Sequence, residues 1–176
     1  MSSPLALSQP QESNLQLLEF ISEGKSYACD LLWVKEVLRA PAVTPVHLAP
    51  SYVRGVVHLR GQILTAIDLE FRLGLKGGDT RPTNRCIVFK TASDLSRLPV
   101  PPDDAYKVDS DRTGLLVDSI GDILPSGFRI LASPPEMLSG LDTRFILGVI
   151  SGPQGLTTVL NVGEFISQLE PMKSQS

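Results

Sequence analysis

The large apolar residues of this chain come in short runs, each closed by a glycine, a proline or a polar cluster, which is the signature of strands and not of long helices. "LQLLEFI" at 15–21, the turn "SEGKS" and "YACDLL" predict a hairpin with Gly24 in its loop. "LLWVKEVLRA" fits two periods, because Leu31, Val34 and Leu38 suit a helical face as well as a strand; it reads as a strand running into a short turn or helix. Pro41, Pro45 and Pro50 then force an irregular connection, and "SYVRG" at 51–55 reads as one helical turn stopped by Gly55. "GVVHLRGQILTAIDL" at 55–69 predicts two strands joined at "HLRGQ", where Gly61 suits a positive φ.

Further along, "RCIVFK" and "GLLVDSI" predict strands on either side of 91–113, a segment with five aspartates and three prolines that reads as a long, mobile surface loop. "SPPEMLSG" at 133–140 has a helix signature: Ser133 as cap, Pro134 in the first turn, Glu136 completing a capping box and Gly140 as the stop. Two more strands and a short helix, "GEFISQL", close the pattern. Polar residues 1–14, with Pro4 and Pro10, read as a flexible tail, 15–170 as a single domain and 171–176 as a second tail.

The runs also repeat. "GVVHLRGQILTAIDLEF" from Gly55 aligns with "GVISGPQGLTTVLNVGEF" from Gly148, and both apolar runs end thirteen residues after the first glycine, at Asp68 and Asn161. "VKEVL" at 34–38 likewise matches "IGDIL" at 120–124. The two blocks keep the same order, which points to duplication: two small β units related by a pseudo-twofold and sharing one core, since either alone is too short to be comfortably stable. Asp68 and Asn161 both precede a short helical segment, so both read as helix N-caps, a role in which amide and carboxylate interchange.

Composition narrows the function. A net charge of −3 across 176 residues argues against nucleic-acid binding, and no apolar stretch is long enough to span a membrane. The N-terminus lacks a secretory pattern. Cys29 and Cys86 sit in apolar surroundings without metal-knuckle spacing and read as buried thiols in a reducing, cytoplasmic setting. His47 and His58 have no acid or cysteine at ligand spacing. "SGPQG" lacks the serine of a nucleophile elbow, and "GLKGGD" fits neither a P-loop nor a dinucleotide fingerprint. The expectation is a non-enzymatic protein with no catalytic residues, cofactor or metal.

Binding remains, and Arg60 is its best candidate. An arginine beside a glycine turn can present its planar fork to a carboxylate, and Glu36 is an available partner. One reading is an internal salt bridge pinning two segments; the other is a docking surface for a second protein, and the two are compatible.

These blocks, in this order, resemble the CheW family of chemotaxis coupling proteins. "GVVHLRGQILTAIDL" is similar to the family's central motif, with Gly55, Arg60, Gly61, Asp68 and Leu69 in place, while His58 stands for the motif's asparagine and Thr65 for its proline. "YACDLLWVKEVL" with Glu36, "GLLVDSIGDIL" with Asp118, and "FILGVI…LTTVLNVGEFI" resemble the other blocks, so that the likeness spans about 15–170. It implies an all-β fold with a few short helices, built as two intertwined five-stranded SH3-like barrels. It also implies a cytoplasmic scaffold at receptor arrays on the inner membrane, without direct membrane insertion. Such a scaffold bridges the cytoplasmic tip of methyl-accepting chemoreceptors and the regulatory domain of a CheA-type histidine kinase, with Val34, Glu36, Val57 and Arg60 as partner-binding positions. The alternative is a coupling protein of a related pathway, such as type IV pilus twitching motility.

Overall fold

The computed structural model describes residues 15–75, 85–108, 111–131, 140–152 and 155–167. The expected tails and all of the expected 133–140 helix except Gly140 lie outside them. Among the described residues ten strands run in chain order: β1 (Leu17–Ser22), β2 (Lys25–Asp30), β3 (Val34–Arg39), β4 (Val53–Leu59), β5 (Gln62–Asp68), β6 (Arg85–Phe89), β7 (Thr113–Val117), β8 (Ser119–Leu124), β9 (Ile146–Gly152) and β10 (Gly155–Leu160). Three short helices accompany them, α1 (Leu69–Arg72), α2 (Ala92–Ser96) and α3 (Val162–Ser167). None is long and apolar enough to cross a membrane.

The strands form two five-stranded sheets, ordered β8-β1-β2-β10-β9 and β3-β6-β7-β5-β4. Exchanging each strand for the one five places away in the chain converts one sheet into the other, so β1–β5 and β6–β10 are the two repeats. Each sheet nevertheless draws strands from both. The first takes the β1–β2 hairpin from the N-terminal repeat and β8, β9 and β10 from the C-terminal one. The joins are equivalent too: β2 pairs in parallel with β10, and β5 with β7.

Alternation along the strands explains why the central ones read as nearly continuous apolar runs: both of their faces are covered. In β6, Cys86 and Val88 enter the interior of the second barrel with Val57, Leu64, Ala66 and Leu116. The intervening Ile87 and Phe89 enter a larger core between the sheets, with Phe20, Tyr27, Ile67, Leu115 and Phe165. In β2, Ala28 joins Leu17, Ile150 and Val159 inside the first barrel, while Tyr27 and Cys29 face the shared core.

The repeat extends to individual atoms. Thr44 and Val56 exchange backbone hydrogen bonds, as do Leu131 and Val149. A Cβ on Gly55 would run into the Thr44 carbonyl oxygen, and one on Gly148 into the Leu131 carbonyl oxygen. The two glycines that open the repeated motif are therefore there to let a neighbouring backbone come close. Asp68 N–H donates to the Tyr52 carbonyl at 2.8 Å, and Asn161 N–H to the Phe145 carbonyl at 2.8 Å. Both cap readings hold: Asp68 Oδ1 accepts from Phe71 N–H at 3.1 Å, and Asn161 Oδ1 from Glu164 N–H at 3.4 Å.

Three expectations are corrected. In 31–39 the order is reversed, a 3-10 turn at Leu31–Trp33 followed by strand β3, because Asp30 caps that turn by accepting from Leu32 N–H. "SYVRG" does not end in a helical turn; β4 starts at Val53 and runs through Gly55, whose role is close approach and not termination. The 91–113 segment is no uniform loop. It carries α2, closed by a reciprocal capping box between Thr91 and Asp94, and it buries Leu95 and Val108 against the shared core.

Burial alone would raise the Asp94 carboxyl, but hydrogen bonds from the Thr91 backbone, Lys35 and the Thr91 hydroxyl outweigh it and hold the group at about 2, against an ordinary 3.8. A depressed folded value means that this stabilisation is complete above about pH 4 and is lost as pH falls through about 2. Asp94→Asn is therefore expected to lower the thermal midpoint at neutral pH and to flatten its decline over that acid range, measured by circular dichroism. Gly55→Ala is expected to cost about 1–3 kcal/mol in chemical denaturation through overpacking against Thr44. A neutral result would mean that the Thr44–Val56 contact is dispensable.

Candidate partner-binding surface

β3 and β4 are the two edges of the second sheet. The two-residue turn that joins β4 to β5 puts Arg60 at φ 49° and Gly61 at φ 76°, the paired left-handed conformation that matches the twist of a tight hairpin. Glycine adopts it freely, whereas an arginine there costs roughly 1–2 kcal/mol. Arg60 thus holds a place that local backbone preference would give to another residue.

From this turn the Arg60 side chain reaches β3. Nη1 and Nη2 donate to Oε1 and Oε2 of Glu36, both at 3.0 Å, a two-pronged pairing between groups 24 residues apart. The arginine side chain is 72% exposed and the glutamate's 22%. An ion pair this open to water contributes about 0–1 kcal/mol. The pair orients the guanidinium on the surface more than it holds the barrel shut. In the sequence of the other repeat the position matching Arg60 is Pro153, which carries no charge to form such a pair.

The other two predicted positions divide. Val34 opens β3, half-buried, and packs against the shared core with its strand at the surface. Val57 is corrected: it is 3% exposed and belongs to the interior of the second barrel. Because Gly55 lies within β4, strand parity turns Val57 inward along with it and leaves His58 exposed. The motif therefore brings Glu36 and Arg60 together at the surface, sets Val34 beneath that edge, and removes Val57 from it.

Two interactions at the opposite end of the β4–β5 hairpin from Arg60 escaped the sequence. Arg54 Nε donates to Asp68 Oδ2 at 2.9 Å, so the capping carboxylate also anchors β4 to the start of α1. Arg72, in α1, lies with its guanidinium carbon 4.7 Å from the Tyr52 ring centre and 4.5 Å from that of Phe145, while its Nε donates to the Phe165 carbonyl at 3.0 Å. Tyr52 and Phe145 occupy equivalent positions 93 residues apart. That periodicity was the one sequence signal that pointed here.

Comparison with known proteins agrees with this architecture. The CheW-like domain model matches residues 16–170. A probable chemotaxis protein CheW of Rhizobium etli is 26% identical over 165 residues, spanning 94% of this chain and 96% of its own length. The chemotaxis protein CheW of Treponema pallidum is 25% identical over 170 residues, covering 97% and 91% respectively. Among solved structures, the scaffolding protein CheW of Thermoanaerobacter tengcongensis superposes with a TM-score of 0.63 at 21% identity, over 84% of this chain and 89% of that one, which bears out the fold. With its interlocked barrels and a family match over nearly its whole length, the chain belongs to the CheW-like domain family and is a coupling adaptor of chemotaxis signalling.

Proposed function

We propose that this adaptor acts without catalysis, joining the cytoplasmic tip of methyl-accepting chemoreceptors to the regulatory domain of a CheA-type histidine kinase. It works in the cytoplasm, at receptor arrays on the inner membrane. Its contact surface is the β3 edge and the β4–β5 turn, with Arg60 and Glu36 meeting the partner and Val34 supporting the strand that carries Glu36.

The observation that carries this reading is the Arg60–Glu36 pair: exposed, held in two-point register, built at a backbone cost and absent from the sister repeat. A pair needed only to close the barrel would serve equally well in the sister repeat. A preorganised guanidinium on an edge instead lowers the ordering cost of binding. Coupling by such a protein needs only modest contacts, since an array multiplies them.

Affinity capture with this protein from its native cells, under gentle conditions, is expected to recover a CheA-type kinase and methyl-accepting receptors; recovering neither overturns the proposal. Arg60→Glu is expected to weaken binding of the purified kinase regulatory domain or receptor tip by about tenfold or more, with little change in thermal midpoint. The charge swap Arg60→Glu with Glu36→Arg separates the two roles of the pair. Binding that returns with the swap would show that only the internal bridge matters, whereas binding that stays lost places Arg60 against the partner.

A further inference from the structure

The two repeats differ most at one connection. β1 and β2 are joined by Glu23 and Gly24 alone, whereas the equivalent strands β6 and β7 are joined by residues 90–112. The fold can evidently close this hairpin with two residues. The longer connection is therefore not required for the barrel, and its described part is anchored by α2 and its capping box, by Leu95 and by Val108.

This connection forms one wall of a cleft of about 520 Å³, lined by Thr91, Ser93, Asp94, Arg97, Asp111 and Arg112. Lys35 on β3 and Gln62 and Ile63 at the start of β5 complete it, next to the turn that carries Arg60. Its charged groups are three cations and two anions. Lys35 and Asp94 are satisfied by each other at 3.0 Å. Arg97 and Arg112 make no side-chain ion pair or hydrogen bond among the described residues, and Asp111 is the remaining acid. Ile63, 57% exposed, adds an apolar contact at the rim. In an acidic chain, this is a polar cleft whose two guanidinium groups have no partner among the described residues, with one remaining carboxylate in its lining.

We propose that this cleft receives carboxylate side chains from a protein partner, with Arg97 and Arg112 as the anion-binding groups. A guanidinium presents paired donors that match a carboxylate, and two of them on a prebuilt wall favour an acidic segment over a neutral one. The proposal rests on the adaptor reading above and extends its contact surface from the Arg60 turn along the β6–β7 connection.

The test measures binding of the full-length protein to the purified receptor tip hairpin and to the purified kinase regulatory domain at several salt concentrations. The double variant Arg97→Glu, Arg112→Glu is expected to bind at least one of them about tenfold more weakly, with a shallower salt dependence. Asp111→Asn, which removes the opposing acid, is expected to tighten the same interaction, a gain that loss of structure cannot produce. Should the double charge reversal impair folding, Arg97→Gln with Arg112→Gln takes its place, with a smaller loss expected. Unchanged affinity for both partners in the arginine variants, while Arg60→Glu still weakens binding, overturns this inference and leaves the adaptor reading standing. If the unmodified protein binds neither partner, the adaptor reading fails and this inference falls with it.

Discussion

The architecture depends on the need to cover both faces of each sheet. A five-stranded sheet from one repeat would have no second layer for one of its faces. Here each sheet curls over its own small interior with one face and packs against the other sheet with the opposite face. The shared core is the largest of the three clusters and holds residues from both repeats, among them Phe20, Tyr27, Phe89 and Phe165. Exchanging strands makes that core common property. It also explains why polar bridges such as Arg72, set between Tyr52 and Phe145, gather where α1 meets the C-terminal repeat.

Much of this was legible in the sequence because strands buried on both faces leave a strong record. "RCIVFK" and "GLLVDSI" stood out as apolar runs, and the paired motifs at Gly55 and Gly148 disclosed the symmetry. The cap roles of Asp68 and Asn161 followed from their shared position. Less legible were features fixed by neighbours far along the chain. Gly55 resembled a helix stop because its true constraint, the Thr44 carbonyl, belongs to a different segment. Misplacing that start hid the parity of β4, and with it the burial of Val57. In 91–113, abundant aspartate and proline masked a five-residue helix whose stability comes from its capping box and from Leu95.

The surface was only partly readable. Arg60 and Glu36 were paired on chemical grounds, and the structure sets them in two-point contact. The Arg54–Asp68 pair was invisible because the cap role already accounted for Asp68 and nothing in the spacing required a second partner. The symmetry was the better guide to function. Where the repeats agree, as at the two close-approach glycines, the residues build the barrels. Where they differ, at Arg60 and in the length of the β6–β7 connection, the difference is not dictated by the common barrel plan, although Leu95 and Val108 of that connection still pack into the shared core.

The exchange of strands has a consequence for how the molecule is made. Tyr27 in β2 lies beside Thr158 in β10, so the sheet that β1 and β2 begin is completed by a strand synthesised well after them. The second sheet needs nothing beyond β7 and can close earlier. Until β9 and β10 emerge, the β1–β2 hairpin offers an unpaired edge and a half-covered apolar face, the state in which a β protein is most prone to wrong pairing. The second barrel therefore closes while the first is still open, and the nascent chain is most exposed just before β9 and β10 arrive.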